Sequence, residues 1–229
     1  ILVISGNVNL KKAKEMVKKN FSKIKNVSTS KFKETLDPDL NSQVFVEKKH
    51  PTVKQDIWKK LYRADSYNKS IKHGIAFDLG MKIIAGGTSS LLYDEFVNKK
   101  KIFSMVGGFY QGLSRGEGYV YFYAIPNDKV EPKKIDKLIM DQIKILVKNE
   151  LSSEKLETEK KKYLYDSIYR MDGILKPSEI YGEALTVGLK LSDIENWNKN
   201  LDDITLELVK DEMLKFIENK NYVIGSLQN

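Results

Sequence analysis

The chain has 229 residues, no cysteine and a formal net charge of +8, because 39 lysines and arginines outnumber 31 acidic residues. The lack of cysteine excludes disulfides and thiolate metal sites, and no apolar run approaches the ~20 residues of a membrane helix. The positive charge does not indicate a nucleic-acid interface, since only Arg63, Arg115 and Arg170 are arginine and the lysines are scattered.

The beginning of the chain predicts a strand and then a helix. Residues 1–8 form an apolar run that ends in a Gly turn. Behind them, Ala13, Val17 and Phe21 recur every four residues, which is the spacing of one helical face. Asn9 is the predicted N-cap of this helix.

Residues 28–43 predict a linker, because they contain Ser, Thr and Asp-Pro and have no steady apolar period. The chain closes on an apolar strand at residues 222–227 that resembles the opening one. We therefore interpret residues 1–27 as the end of a preceding, related domain and residues 44–229 as a second domain.

The second domain opens with elements of a sheet. Residues 44–46 and 53–62 predict strands, and the second of these has no purely apolar face, which favours a partly exposed or ligand-facing position. Residues 67–85 predict a helix with apolar residues every four positions. Residues 101–110 and 116–126 predict an antiparallel pair.

A Gly-Gly break separates the predicted long helix from this pair of strands. Gly86 and Gly87 close the helix, and Thr88 or Ser89 is expected to cap a short new one.

The second half of the chain is predicted to be helical. Its apolar stripes recur at helical spacing, with Ser152 or Ser153 and Thr205 as expected N-caps and Pro177 at a first helical position. The fold class predicted from all elements is α+β, with a mostly antiparallel sheet and helices packed on one face.

No catalytic motif is contained in the chain. His50 and His73 are its only histidines, and neither lies in a His-Glu-x-x-His or His-x-x-Glu-His frame. We interpret both as surface or partly packed side chains. The alternating Tyr119, Tyr121 and Tyr123 could stack bases, but one face of a sheet is the commoner position for such a row.

The order of these elements resembles the C-terminal portion of the M16 (pitrilysin/insulinase, mitochondrial-processing-peptidase-like) zinc metallopeptidases. Residues 3–8 (VISGNV) look like the strand that closes the family's first domain, and residues 86–92 (GGTSSLL) look like its Gly-Gly-x-Ser-Ser-Arg-Leu motif. Residues 94–106 and 204–225 are similar to the segments that follow in the family. The resemblance covers essentially the whole chain and implies an M16 peptidase-like (LuxS–MPP-like) half.

The resemblance also implies what this chain does not contribute. The family's zinc ligands lie in the first domain, so zinc is expected in an N-terminal domain of the parent protein and no cofactor in this part. The family's Arg and Tyr that contact substrate near the metal are replaced by Val97 and Ser104. The parent is therefore expected to be a zinc metallopeptidase, and this part of it alone is predicted to be inactive.

The expected role is to shape a peptide-binding chamber and a subunit interface. Candidate substrate-binding residues are Gln55, Ile57, Gly86, Gly87 and Ser89, with the strand at residues 53–62 accepting an extended peptide at its edge. Basic walls would favour acidic stretches of substrate.

The resemblance implies a peptide or unfolded protein as substrate and a homo- or heterodimer with another M16 subunit. No nucleic acid and no transmembrane segment are expected. An alternative stays open, in which the parent is an inactive core-type homologue that acts as a structural or peptide-holding subunit. Apolar surface on residues 1–27 would in either case favour dimerisation or segment swapping.

Overall fold

A computed structural model of the chain describes residues 1–25, 38 and 40–229. Its centre is a five-stranded sheet in the order β1-β5-β2-β4-β3. Only β1 and β5 run parallel, and all other neighbours are antiparallel. The strands are β1 (Gln43–Lys49), β2 (Ile57–Ala64), β3 (Phe103–Gln111), β4 (Gly118–Pro126) and β5 (Tyr222–Gln228).

Helices make up most of the remaining described structure. They are α1 (Leu10–Phe21), α2 (Ile71–Ala85), α3 (Leu91–Tyr93), α4 (Pro132–Asn149), α5 (Ser153–Met171), α6 (Lys176–Thr186), α7 (Leu191–Glu195), α8 (Trp197–Asp202) and α9 (Leu206–Ile217). A π-helical stretch, Asp94–Lys99, continues directly from α3. The predicted α+β class with a mostly antiparallel sheet is confirmed.

Local sequence explains where several helices begin. The side chains of Asn9, Ser152 and Thr205 each accept a hydrogen bond from a backbone N–H in the first turn, as predicted. The predicted cap of α3 is wrong, because Ser90 and not Thr88 or Ser89 accepts the N–H of Tyr93. Ser90 also donates its hydroxyl hydrogen to the Gly87 carbonyl at 2.7 Å, which holds the Gly-Gly turn closed.

One face of the sheet carries the hydrophobic core. Helix α2 packs on β3 and α9, and α4 packs on α9 and β2. Trp58, Tyr62 and Phe122 point from β2 and β4 into this helical layer and are at most 1% exposed. Eleven of the fifteen residues of α2 are buried, which explains why its sequence is apolar on nearly every side.

The beginning of the chain lies outside this core. The predicted strand over residues 1–8 is wrong for this structure, because those residues join no ladder with the rest of the described chain and their backbone groups have no strand to pair with. None of the α1 residues is buried. The clearest attachment is the Ser5 hydroxyl, which donates to the Ile174 carbonyl at 2.6 Å.

The predicted division of the chain into residues 1–27, 28–43 and 44–229 stays a prediction. Most of the predicted linker lies outside the described residues, namely residues 28–37 and 39, as do residues 26–27 of the predicted first segment. In the part of the chain that is described, no helix is both long and apolar enough to cross a bilayer.

Candidate functional site

No helical layer of the described residues covers the second face of the sheet, and we call it the open face. Its residues alternate with the buried ones along each strand and share rows with their cross-strand partners. Its members are Met105, Gly107, Phe109 and Gln111 on β3; Tyr119, Tyr121, Tyr123 and Ile125 on β4; Ile57, Lys59, Leu61 and Arg63 on β2; Val223, Gly225 and Leu227 on β5; and Val44, Val46 and Lys48 on β1.

The middle of the open face is a row of aromatic rings. Tyr119 stacks near Tyr121 with ring centroids 6.5 Å apart, and Tyr123 follows 6.1 Å beyond Tyr121. Phe109 adds a fourth ring 5.9 Å from Tyr121. Phe109 and Tyr119 remain 46% and 42% exposed. Large aromatic side chains left half exposed in one contiguous group are typical of a binding surface.

Gly107 on β3 lies close to both the Tyr123 hydroxyl and Ala85, the last residue of α2. A Cβ added at Gly107 would lie 2.8 Å from Tyr123 Oη and 3.1 Å from the Ala85 carbonyl oxygen, so only glycine allows both approaches. Burial raises the pKa of Tyr123, with smaller contributions from Tyr121 and Tyr93. This hydroxyl therefore stays protonated at neutral pH and can donate a hydrogen bond.

The structure brings together only some of the predicted binding residues. Gly86, Gly87 and Ser89 lie in the turn that follows Ala85 at the end of α2, and Gly87 has φ +82° with open space where a Cβ would lie. Ile57 starts β2 on the open face, two strands away from Gly107. Gln55 precedes β2 in a bend and belongs to no strand.

The predicted use of residues 53–62 as an edge strand is wrong. Strand β2 begins at Ile57 and is hydrogen-bonded to β4 on one side and β5 on the other, so it has no free edge for a peptide. Sequence alternation showed its mixed faces but not its central position, which depends on where β5 returns. Among the described residues, the strands at the edges are β1 and β3.

Val97 and Ser104, at the positions where the resemblance expects Arg and Tyr, make contacts within the fold. Val97, in the π-helical stretch, packs against the core. Ser104, on β3, donates its hydroxyl hydrogen to the Ile125 carbonyl at 3.2 Å. Neither side chain can supply a cation or a phenol to a substrate.

The described residues do not fit a zinc site. They contain no group of three or more His, Asp or Glu side chains that could hold a metal ion. His50 Nδ1 lies 2.7 Å from Thr52 Oγ1 in a turn, whereas His73 Nδ1 lies 2.7 Å from Glu212 Oε1 between α2 and α9. Each histidine is thus held separately by its own neighbour.

A cavity of about 710 Å³ lies where β2 ends, beside His73 and Glu212. Two pairs of its other charged groups lie together: Lys69 Nζ is 2.8 Å from Asp65 Oδ1, and Arg63 is 3.3 Å from Glu117. Lys215 also lines the cavity and belongs to none of the ion pairs among the described residues. The lysine, arginine and carboxylate charges of the lining balance formally, so the cavity does not select a ligand by net charge.

Two buried polar clusters were not found by sequence reasoning. Lys60 lies under the helical layer, where its Nζ is 2.8 Å from Asp136 and 3.8 Å from the centre of the Tyr222 ring. Burial lowers the pKa of Lys60, and the hydrogen bond and charge of Asp136 oppose that shift. The adjacent Lys59 has the same residue type and faces solvent, so only the strand register could separate them.

The second buried cluster centres on Asp78 of α2. Burial raises the pKa of this carboxyl, and the Lys82 charge and hydrogen bonds from Tyr67 and Tyr163 act in the opposite direction. Lys82 Nζ also lies 3.8 Å from the centre of the Tyr163 ring. The cluster joins α2 to α5 and does not reach the open face.

The chain is similar to known proteins in sequence and in fold. A family model described as the Peptidase M16 inactive domain matches residues 1–163. A solved protease from Helicobacter pylori has a TM-score of 0.85 at 19% identity, over 98% of this chain and 54% of that chain. The Peptidase M16 inactive domain from Pseudomonas fluorescens has a TM-score of 0.71 at 18% identity, over 86% of this chain and 46% of that chain.

A further solved structure with this fold is a chain of Complex III2 from Candida albicans, with a TM-score of 0.70 at 15% identity over 97% and 53%. At these identities the likeness shows the fold alone. This chain spans about half the length of each of the three solved chains. No curated protein matches it.

Proposed function

Because the chain belongs to the Peptidase M16 inactive domain family, we propose that it is the non-catalytic second domain of an M16-type peptidase. Its open face forms one wall of the chamber in which the parent protein holds peptide substrates. The exposed aromatic row of Phe109, Tyr119, Tyr121 and Tyr123 carries this proposal.

The chemistry of that row suits a peptide. Tyrosine offers a large rigid ring for side-chain contact and a hydroxyl for peptide N–H and C=O groups, with only two side-chain torsions to order. Strand β3, at the sheet edge among the described residues, lies beside the row. An extended segment can add to such an edge through main-chain hydrogen bonds while its side chains contact the rings.

Catalysis belongs to a different part of the parent in this proposal. Val97 and Ser104 cannot replace the Arg and Tyr of active relatives, and the described residues hold no metal-ligand cluster. Zinc and the catalytic groups are then supplied by a first domain, by another subunit, or by both.

A second candidate is favoured by the same replacements at Val97 and Ser104. In it, the parent cleaves nothing and serves as a core-type subunit that holds peptides or scaffolds an assembly. A chain of Complex III2 has this fold within a larger complex. Dimerisation with another M16 subunit is part of both candidates.

The binding role is tested with fluorescence anisotropy on the 229-residue chain and a labelled ten-residue peptide rich in Phe, Leu and Ser. Tyr121→Ser should weaken binding about tenfold, which is ~1.4 kcal/mol and typical of one lost aromatic contact. Tyr181→Ser is the matched control, because Tyr181 is partly buried like Tyr121 but lies on α6 in the helical layer. Equal loss in both variants, or no binding by the wild type, contradicts the proposal.

The catalytic side is tested on the full-length parent. Its zinc content and peptide cleavage are measured alone and after a second M16 subunit is added. About one zinc per chain, with cleavage only in the presence of the partner, supports a split active site. No zinc and no cleavage with either preparation supports the core-type candidate.

A further inference from the structure

The charges on the open face all have one sign. Its only ionisable side chains besides tyrosine are Lys48, Lys59 and Arg63. Arg63 is partly neutralised by Glu117, 3.3 Å away at the border of the face. Lys48 and Lys59 have no ion-pair partner among the described residues. The face is therefore apolar and aromatic with two uncompensated cations.

Lys59 lies in the middle of this surface. The strand register places it in one row with Tyr123 on β4 and Gly225 on β5. A Cβ added at Gly225 would meet no atom within 4 Å, so a notch opens beside the lysine on that side. On the other side the tyrosine ring forms a wall.

Its neighbour in the chain shows what a compensated lysine looks like here. Lys60 points to the covered face, where Asp136 lies 2.8 Å from its Nζ and the Tyr222 ring lies beneath it. Lys59 is the cross-strand partner of Tyr123, and no carboxylate of the described residues forms an ion pair with it. The group that Lys59 lacks is an anion, and the notch above Gly225 leaves room for one.

We propose that the open face selects extended peptide segments in which an acidic side chain lies among apolar or aromatic residues, with Lys59 as the specificity-determining residue. This inference rests on the proposed peptide-binding function of the same face. The carboxylate enters the notch at Gly225 and pairs with the Lys59 ammonium, while flanking side chains contact Tyr121 and Leu61.

A peptide fits this surface better than a single-stranded nucleic acid. A nucleic acid presents a phosphate at every nucleotide, and its binding grooves are lined with many cations. Here two unpaired lysines lie among largely apolar neighbours, which matches a partner that carries few charges and much apolar surface. Charge complementarity of this kind contributes to specificity and to the association rate.

The test uses two labelled ten-residue peptides that differ only in a central Glu or Gln, each with the 229-residue chain. The wild type should bind the Glu peptide about fivefold more tightly, the upper end for one partly exposed ion pair. Lys59→Gln should abolish this preference and leave the Gln peptide unaffected. Lys59→Glu should reverse it in favour of a Lys peptide.

Two further variants separate charge from shape. Gly225→Val narrows the notch, and its Cβ meets no other atom within 4 Å, so it should remove the Glu preference while Lys59 is still present. Lys144→Glu makes the same charge change on the exposed side of α4, in the helical layer, and should leave the preference intact. Raising the salt concentration from about 50 to 500 mM should reduce the preference, because the pair is partly exposed.

The outcomes distinguish this inference from the function on which it depends. Equal binding of the Glu and Gln peptides, both weakened by Tyr121→Ser, overturns the role of Lys59 and retains the peptide-binding face. Binding of neither peptide overturns both. If a single-stranded oligothymidylate binds and displaces the Glu peptide with higher affinity, the proposed class of partner is wrong.

Discussion

The two faces of the sheet use similar residues under opposite conditions. On the covered face, Trp58, Tyr62 and Phe122 are enclosed by helices. Lys60 forms an ion pair with Asp136 there and lies over the Tyr222 ring. On the open face, Phe109 and Tyr119 remain nearly half exposed and Tyr121 and Tyr123 partly exposed, and Lys59 has no paired carboxylate among the described residues. Strands β2 and β4 thus place an aromatic row and a lysine on both sides.

This difference separates what folds the domain from what remains for binding. Side chains on the covered face contribute burial, and a charge among them needs a partner, because an unpaired buried charge costs several kcal/mol. Side chains on the open face are released from that requirement. A cluster of exposed rings that the fold does not need is therefore the best place to seek function.

The sharpest test of this separation compares alanine substitutions at two adjacent residues of β4. Phe122→Ala should reduce the free energy of unfolding by about 3–5 kcal/mol, since it removes a fully buried ring that lies edge-on to Tyr62. Tyr121→Ala should cost only about 1 kcal/mol or less, the range of one cross-strand pair. Urea unfolding followed by circular dichroism measures both, and equal losses would show that the open face also belongs to the folding core.

Breaking the buried ion pair tests the covered face from its polar side. Asp136→Ala leaves the Lys60 ammonium buried and unpaired, so we expect a loss of about 3 kcal/mol at neutral pH. The loss should shrink toward about pH 10, because burial lowers the pKa of Lys60 and a neutral amine no longer needs the carboxylate.

The double variant Lys60→Met with Asp136→Leu is the control for this prediction. It removes both charges and should recover most of the stability. A single variant that costs less than about 0.5 kcal/mol would mean that solvent reaches Lys60 and that the two lysines are not in different environments.

Asp78 provides a pH-dependent version of the same contrast. Burial raises the pKa of its carboxyl above the ordinary 3.8, so the folded protein binds this proton more tightly than the unfolded chain does. The stabilisation from this proton is complete below about pH 3.8 and is lost as the pH rises through the folded-state pKa. The wild type should therefore lose stability relative to Asp78→Asn over that range.

The measurement is the difference in urea unfolding free energy between wild type and Asp78→Asn, taken from about pH 3.5 to 8. At neutral pH the variant should be equal to the wild type or about 1 kcal/mol more stable, because its amide oxygen still accepts a hydrogen bond from Tyr67 or Tyr163. A difference that does not change with pH would assign the cluster a purely steric role.

Much of the fold could be predicted from local pattern, because helix caps and alternation are local properties. The caps at Asn9, Ser152 and Thr205 and the single face of Tyr119, Tyr121 and Tyr123 required only neighbouring residues. The position of β2 inside the sheet required knowledge of β5, more than 150 residues later, so the proposed edge role was assigned to the wrong strand.

The candidate site divides in the same way. The Gly-Gly turn was visible in the sequence, but the approach of Ala85, just before it, to Gly107 beside the tyrosine row depends on the packing of α2 against β3. Lys59 is exposed and Lys60 is buried because successive side chains of a strand point to opposite faces. The mixed polarity of residues 53–62 did not show which of these faces is buried. Which face receives the helices is decided by tertiary packing.

The smallest effect on stability is expected at Lys59, in the middle of the open face. Lys59→Ala should change the free energy of unfolding by no more than about 0.5 kcal/mol, because the side chain is exposed and has no ion pair among the described residues. Urea unfolding of this variant is compared with that of Lys60→Ala, which removes a buried aliphatic side chain and leaves Asp136 without its ion-pair partner. The two variants therefore compare the open and covered faces within β2. A substantial loss at Lys59 would indicate that the open face is covered in the free protein. In that case the aromatic row is part of an intramolecular contact, and peptides could reach it only after that contact opened.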